Sequence, residues 1–432
     1  MPDPTPPRVA LLLPGSPAYV EAVARLLDAG VVPIPLDPAL PPAERDRVLG
    51  DLRPDVVVED GPALRTLVAH HTDPQRPLSE LLPRARAMHV TSGTTGRPKG
   101  VWSGLLPDEH ARALIEEERG LWGFSRDDVH LVLSPLHHSA PLRFALGTLL
   151  AGGRVLVPGP FDAALVTRVI AEDRPSSTFC VPAHLQRLFA HWDAVGAPDL
   201  TSIRLLAHAG AACPPPLKER LLVAFEPGTT WEFYGSTEGQ FTACRSEEWA
   251  VRRGTVGRAR PGRTLSADPD GTLWCGVPPH ARFEYWEAPE KTAAAWREGP
   301  EGPEFTVGDL GRVDPDGYVY LDGRREDLVI SGGVNVYPAE VEGVLAAAPG
   351  VADIAVFGLP DDTWGHRVCA AYVGTADPAA LTAYAREQLV PAKRPKEWHR
   401  LDALPRTPTG KVRRLDLPDV LGLTPQESPG RG

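Results

Sequence analysis

RVALLLPGSPAYVEAVARLLDAGVVPIPL, residues 8–36, decides the fold class. RVALLL is a short apolar run of the kind that forms a buried strand. Residues 17–29 then carry apolar side chains at helical spacing, with Ser16 and Pro17 in the N-cap and first-turn places and Gly30 just past the end. VVPIPL reads as a second strand. Strand, helix and strand in one short stretch form a βαβ beginning and predict a parallel sheet. DVVVED (55–60) continues the pattern. A polar, proline-rich connector over 70–83 leads to a predicted strand, ARAMHV (85–90).

The alternation runs on. Residues 108–122 predict a charged amphipathic helix, VHLVLS (129–134) a strand, LRFALGTLLAGG a helix stopped by glycines, and RVLVPG a strand. Helices over 162–173, 183–194 and PPPLKERLLVAF alternate with the strands STFCVP, IRLLAHAG and TTWEF. The polar clusters fall at strand C-termini, where doubly wound α/β sheets hold their ligands. From about 253 the rhythm changes to short strands with Asp-Gly turns, as in DPDGTLWCG and GDLGRVDPDGY, which suggests a small barrel or meander. A charged junction at Gly323-Arg324 precedes a second strand-and-helix segment. The expected architecture is α/β: a large N-terminal domain (1–322) of doubly wound sheets plus a small barrel, and a small, mobile α+β C-terminal domain (323–432).

Composition narrows the function. The 432 residues are 42% hydrophobic and 23% charged, ordinary values for a soluble globular protein. A net charge of −11 without any basic run excludes nucleic-acid binding as the main task. The five cysteines are scattered, with no C-x-x-C pair, which fits reduced thiols and a cytoplasmic location. No window approaches the roughly 18–20 apolar residues of a membrane span, and no membrane association is expected.

TSGTTGRPKG (91–100) is the stretch that carries chemistry. Its glycines let backbone amides converge on an anion, its hydroxyls and Lys99 complete a cradle, and side-chain bulk is low. It is not a Walker A loop, because Gly96 is followed by Arg97-Pro98-Lys99 and not by a Lys-Ser/Thr pair. Read alone, the stretch is a polyphosphate cradle or a surface Gly/Thr loop.

Further motifs follow it in order: PLHHSAP (135–141), YGSTEG (234–239), GDLGRVDPDGY (308–318), GRREDLVISGGVNVYPAEVE (323–342) and LPRTPTGKVRR (404–414). With these the chain resembles the adenylate-forming superfamily of acyl- and aryl-CoA synthetases, carrier-protein adenylation domains and luciferases. The resemblance covers roughly residues 8–415 and is nearest to the fatty-acid and aryl-CoA ligase branch.

It implies ATP and Mg2+ as nucleotide and metal, coenzyme A as thiol acceptor, and a small-molecule acid as substrate; a homodimer is an open expectation. Attack of a carboxylate on the α-phosphate puts charge on equatorial oxygens and departing pyrophosphate, so catalysis is positioning plus electrostatic stabilisation. By resemblance Thr91, Ser92, Gly93, Thr94, Thr95, Gly96 and Lys99 hold the phosphates. Tyr234 stacks on adenine, with Gly235, Ser236 and the Gly210-Ala211-Ala212 turn beside the nucleotide. Thr237 touches the α-phosphate and Glu238 ligates Mg2+, a hard cation suited to a carboxylate. Asp309 and Arg324 take the ribose hydroxyls. Lys411, which alone would read as an exposed lysine in a basic tail, is placed on the carboxylate and α-phosphate during adenylation. The family's C-terminal domain rotates between half-reactions about a hinge, here Glu326, after which Ser331-Gly332-Gly333 lines a channel for the pantetheine arm.

Departures stand out. Val307 replaces the usual threonine before Gly-Asp, Glu326 replaces the usual Asp or Lys, and the segment usual upstream of RVALLL is short, so part of the N-terminal lobe is expected to be absent. His138 sits where the family has a gating aromatic or histidine beside the acyl pocket. His138, Ala140, Phe144, Ala183, His184, Gly210, Ala211 and Phe233 are the candidate pocket walls. The aspartate that pairs an amino-acid ammonium in carrier-protein domains is missing, which disfavours amino-acid substrates. The leading expectation is an ATP-dependent acid–CoA ligase. A diazotase activating nitrite for transfer to an aryl amine in secondary metabolism, a stand-alone domain loading a carrier protein, and an inactive nucleotide-binding scaffold are the alternatives; the last is disfavoured by the presence of Lys99, Glu238, Asp309, Arg324 and Lys411.

Overall fold

The computed structural model describes residues 6–91, 99–324, 327–331, 334–361, 365–407 and 412–423. By contact density the chain divides into two units: Met1–Leu265 with Trp274–Val307 and Pro315–Val319, and Ser266–Leu273 with Gly308–Asp314 and Tyr320–Gly432.

In the first unit the opening βαβ forms as expected. β1 (Arg8–Leu11) lies between β2 (Val32–Pro35) and β3 (Val56–Val58), parallel to both. α1 (Pro17–Asp28) links β1 to β2; the Ser16 hydroxyl accepts from the Tyr19 amide and Pro17 occupies the first turn. Two further helices, α2 (Pro42–Leu52) and α3 (Gly61–His71), carry the chain over this sheet. Neither is marked by a broad apolar stripe, but α3 has its signals in the sequence: the Asp60 carboxylate accepts from the Ala63 amide and Pro62 follows.

ARAMHV is strand only at its end. β4 (Val90–Thr91) pairs antiparallel with β5 (Lys99–Trp102), Val90 opposite Gly100 and Thr91 opposite Lys99, so the glycine-rich stretch is flanked by the two arms of a hairpin. Upstream, Ala85, Arg86, Ala87 and His89 line a cavity instead of a sheet. The Met88 amide still bonds the Pro33 carbonyl at 2.9 Å.

The main sheet follows α4 (Asp108–Trp122). β6 (Val129–Val132), α5 (Ser139–Leu150), β7 (Arg154–Leu156), α6 (Ala163–Asp173), β8 (Ser177–Cys180), α7 (Pro182–Val195), β9 (Leu205–His208), α8 (Pro215–Ala224) and β10 (Thr230–Glu232) alternate along the chain. The strands lie parallel in the order β7–β6–β8–β9–β10. β11 (Thr242–Arg245) and β12 (Thr255–Ala259) extend the sheet antiparallel, with a short helix, Ser246–Val251, between them. The segment expected as a barrel or meander contributes an antiparallel run in which Gly302–Phe305 lies between Leu273–Gly276 and Trp296–Gly299. Glu284–Tyr285 pairs with β5, Tyr285 opposite Val101. A helix not foreseen from the pattern, Pro289–Ala295, stands between these strands.

In the second unit Gly365–Gly374 lies antiparallel to Val351–Asp361 and to Val329–Ser331, and parallel to Glu397–Arg400. Its period-two pattern splits the apolar residues cleanly between two faces. Ile354, Val356, Val368 and Tyr372 pack with Val341 and Leu345 of helix Pro338–Leu345 and Leu381 of helix Pro378–Gln388. Ala355, Phe357, Cys369 and Ala371 pack with Leu404 and Leu417 on the other.

Within the main sheet, one carboxylate ties the N-terminal strand ends, leaving the opposite edge to the functional loops. Asp128, before β6, accepts from the Ser125 amide at 2.8 Å, the Ser176 hydroxyl at 2.6 Å and Arg204 Nε at 2.8 Å. Burial opposes its charge, but these donors hold its pKa below the ordinary carboxylate value. A depressed folded pKa contributes stability above the unfolded value, about 4, and that contribution disappears as pH falls through the folded pKa. Asp128→Asn should therefore lower stability at neutral pH by about 1–3 kcal/mol and flatten the loss of stability below about pH 4. Denaturant titrations from pH 7 to 3 measure both; an unchanged acid limb would remove Asp128 from this role.

Candidate active site

The loops after β6, β8, β9 and β10 gather at one edge because these strands are neighbours with parallel register. After β10 the chain makes a tight return: the Ser236 amide donates to the Gly239 carbonyl at 2.8 Å and Gly235 pairs with Gln240. A Cβ on Gly235 would stand 2.7 Å from the Gly239 oxygen, so only glycine allows this turn. The turn presents Thr237 and Glu238 to a cavity of about 140 Å3.

Glu238 is buried, and its Oε1 accepts from the Tyr285 hydroxyl at 2.7 Å. Burial, followed by the Glu238 charge, raises the Tyr285 pKa far above its usual value, so the phenol stays a donor. Tyr285 lies on the strand paired with β5, which joins this carboxylate to the arm carrying Lys99. A buried carboxylate oriented by one hydrogen bond, among hydroxyls and beside a glycine-flanked hairpin, fits a hard divalent cation.

The cavity lies between two helix faces. α4 contributes Ala111, Leu114, Ile115 and Glu118, and α5 contributes Ser139, Leu142, Arg143, Leu146 and Leu150, each set at three-and-four spacing. Gly147 also faces inward, and a Cβ there would meet the Phe124 ring at 2.4 Å. Phe241, Phe305 and Val277 close the apolar walls.

Charges complete them. Arg260, 2% exposed, contacts Glu117 at 2.8 Å and Glu118 at 2.9 Å and donates to Gln240 Oε1 at 2.9 Å. Glu117 also meets Arg263, and its Oε2 lies 2.7 Å from His280 Nε2. Against the cost of burial, Arg143 and Arg260 hold the Glu118 pKa down. Arg143 lies 3.6 Å from Glu118 and 5.4 Å above the Phe233 ring. Its Nε and Nη2 are buried without a hydrogen bond. Burial, then Arg143 and Arg263, pushes the Arg86 pKa down to about 10.

The expected site residues fall in several places. Thr237 and Glu238 line the cavity; Tyr234, half-buried, packs against Phe241 with ring centroids 4.8 Å apart. Gly210, at φ 90°, and Ala211 and Ala212 are exposed just past the C-terminal end of β9. Val307, the departure from threonine, packs against the cluster of Phe241, Phe283, Tyr285 and Phe305. Asp309, buried, opens the strand Asp309–Val313, and Arg324 closes the strand Tyr318–Arg324; both belong to the second unit. Ser92, Gly93, Thr94, Thr95, Gly96, Glu326, Gly332, Gly333 and Lys411 lie outside the described residues, as do the side chains of Thr91 and Arg324.

The expected pocket walls need correcting. Phe144 is core, fully buried with ring centroids 4.9 Å from Trp122, 5.5 Å from Phe179 and 6.1 Å from Phe233. It sits on the face of α5 turned away from the cavity-lining residues. His138 precedes α5 with its ring 4.2 Å from His137 and does not line the cavity. His184 stacks on Phe161 at 4.1 Å. The polar walls that pattern reading passed over are Arg86, Glu118, Arg143, Arg260 and Arg263. One signal existed: Arg143 interrupts an otherwise apolar helix face.

Comparison with known proteins places this arrangement. The AMP-binding enzyme family model matches residues 5–273, and the AMP-binding enzyme C-terminal domain matches 340–411. Feruloyl-CoA synthase of Amycolatopsis sp is 33% identical over 444 residues, covering 94% of this chain and 87% of that protein. Indoleacetate–CoA ligase of Aromatoleum aromaticum is 30% identical over 459 residues, covering 95% and 87%. Among solved structures, ATP-bound MatB from Rhodopseudomonas palustris matches with TM-score 0.80 and 28% identity over 97% of this chain and 89% of that one. The o-succinylbenzoate CoA synthetase MenE from Bacillus subtilis, in complex with its acyl-adenylate intermediate, matches with TM-score 0.81 and 25% identity over 99% and 89%. The chain belongs to the AMP-binding enzyme family, in the acyl- and aryl-CoA synthetase branch of the adenylate-forming superfamily. It is an AMP-forming ligase.

Burial, with His137 and His89 nearby, pushes the His138 pKa down to about 3, and burial pushes His89 to about 4. Both rings are neutral at working pH, so neither is poised to supply a proton. Wild type and His138→Asn should give pH–rate profiles of one shape between about pH 5 and 8. A limb present in the wild type and lost in the variant would show that His138 titrates in turnover.

Proposed function

We propose that the protein is an ATP-dependent acid–CoA ligase that makes an acyl-adenylate and passes the acyl group to the thiol of coenzyme A. The observation that carries this reading is the meeting, in one cavity, of Thr237 and the oriented Glu238 with apolar helix faces and a guanidinium, Arg143, whose Nε and Nη2 make no hydrogen bond. Such a cavity suits a small acid whose carboxylate lies beside the nucleotide site.

In the adenylation step a carboxylate oxygen forms a bond to the α-phosphorus as the bond to pyrophosphate breaks. The stretch 91–100 holds the departing phosphates, Tyr234 the adenine, and Asp309 and Arg324 the ribose. Glu238 is the residue that would hold Mg2+, with Tyr285 fixing the carboxylate; the bound metal supplies charge neutralisation on the phosphates. Lys411 adds positive charge at the reacting oxygens. In the second step the thiol sulfur bonds the acyl carbon and AMP leaves, with Ser331-Gly332-Gly333 along the pantetheine path and Glu326 as hinge.

Carboxylate-dependent pyrophosphate exchange, measured across a panel of acids, should be strong without CoA, with thioester formed once CoA is added. Exchange that responds to no acid, with nitrite-dependent AMP release in the presence of an aryl amine, would overturn the reading in favour of a diazotase. Thioester formed only on an added carrier protein would reassign the acceptor.

The half-reactions separate by mutation. Lys411→Ala should lower adenylation by about 10²–10³-fold yet still convert a supplied acyl-adenylate to thioester; equal loss of both steps would contradict its assignment. Glu238→Gln should raise the Mg2+ concentration needed for half-maximal rate, and an unchanged Mg2+ profile would remove Glu238 as ligand.

A further inference from the structure

The cavity holds more buried cation than its own acids can match. Glu117 and Glu118 are shared among Arg260, Arg263 and His280. Arg143 is left 3.6 Å from Glu118 with two buried N–H-bearing nitrogens unbonded. Arg86, on the segment that leaves the sheet to line the cavity, makes no hydrogen bond or ion pair among the described residues. Arg143 is near enough to lower the affinity of the Arg86 guanidinium for the proton. Both side chains are half-buried, and a cation held partly away from water with too few hydrogen bonds leaves a demand that a ligand's counter-ion can meet.

We propose, building on the acid-ligase reading, that the substrate acid carries a second, non-reacting carboxylate and that Arg143 and Arg86 hold it. The reacting carboxylate is a poor occupant for this pair. It must give up its charge on becoming an acyl-adenylate, and an ion pair made in the ground state and lost in the transition state slows the reaction. A distal carboxylate keeps its charge through both half-reactions, so its pairing contributes to binding throughout. Arginine suits the task, because its fork of donors matches a carboxylate in two-point contact. The same cavity carries apolar walls, among them Leu114, Ile115, Leu142, Leu146 and Phe305. At about 140 Å3 the space is comparable to the ~150 Å3 that accepts a benzene molecule. The structure thus assigns a short, apolar-linked dicarboxylic acid.

The test compares a series of short α,ω-dicarboxylic acids with their monoamides, which keep the reacting carboxylate and the length but lose the distal charge. In pyrophosphate exchange the wild type should prefer the diacid by about 10–100-fold in kcat/KM, the range of a charged hydrogen bond gained or lost. Arg143→Gln should erase that preference by raising KM for the diacid while kcat stays close to wild type, the signature of binding equal in ground and transition states. Its rate on the monoamide should fall far less than its rate on the diacid. In thermal melts without nucleotide, diacid should raise the Tm of the wild type and not of Arg143→Gln. Equal use of diacid and monoamide by the wild type, or an equal loss on both in the variant, overturns the second-carboxylate site while leaving the ligase intact. Exchange with no acid at all overturns the ligase reading. In that case a diacid-specific, Arg143-dependent Tm shift still supports the cation pair as a dicarboxylate site, and a shift with nitrite alone overturns it.

Discussion

Arg260 is the constraint on which the site depends. Its guanidinium, almost without exposed surface, reaches Glu117 and Glu118 on α4 and Gln240 just past the turn that carries Thr237 and Glu238. Removing a charge of this kind from water is costly, and its two ion pairs and the Gln240 hydrogen bond are the set of partners that offsets that cost. The set spans elements far apart in sequence: a helix before the main sheet, the turn after β10 and the end of β12. Gln240 is tied to Gly235 across the turn that displays Thr237 and Glu238. The depth of the cavity and the place of Glu238 are therefore fixed by one packed ion cluster, and Tyr285 fixes the carboxylate from the opposite side.

The parallel sheet supplies the frame. β6, β8, β9 and β10 end at a common edge, so loops separated by dozens of residues in sequence arrive together, while Asp128 ties Ser125, Ser176 and Arg204 at the other end. That division gives rigidity at one edge and freedom for functional turns at the other. β4 and β5, which flank residues 92–98 in the chain, pair with one another outside this sheet. From Lys99 and Gly100 on β5 the contacts run through the neighbouring strand to Tyr285 and on to Glu238.

Much of this was legible in the residues. The βαβ start, the alternation to β10 and the α+β character of the last hundred or so residues follow from apolar periodicity and turn chemistry, which are local. Thr237 and Glu238 could be named because their motif is contiguous, and both line the cavity. What was not legible is non-local. Arg86, Glu118, Arg143 and Arg260 lie on separate elements, and nothing in any one window says that they meet. Phe144, one of the candidate pocket walls, is turned by helix geometry into the aromatic core, while Leu142, Arg143 and Leu146 face the cavity. ARAMHV read as strand because its residues favour one; Arg86 and His89 leave the sheet to meet charged and polar neighbours that periodicity cannot represent.

Stability and specificity pull in opposite directions in this cavity. A protein selected for stability alone would replace Arg143 with an apolar residue, completing the face of α5 and removing a charge that Glu118 meets only at 3.6 Å. Keeping the guanidinium makes the unliganded enzyme less stable than its packing allows. The same unmet demand makes an acid without a matching anion a poor fit, because binding it would seal the cation from water with no counter-charge. Discrimination then comes from both directions at once: attraction of the right acid and the cost of enclosing the wrong one. Glu117 and Glu118 set how strong that demand is, since a closer Arg143–Glu118 contact than 3.6 Å would quench it internally. The geometry of Arg260, by drawing both carboxylates toward itself, keeps Arg143 available to a ligand.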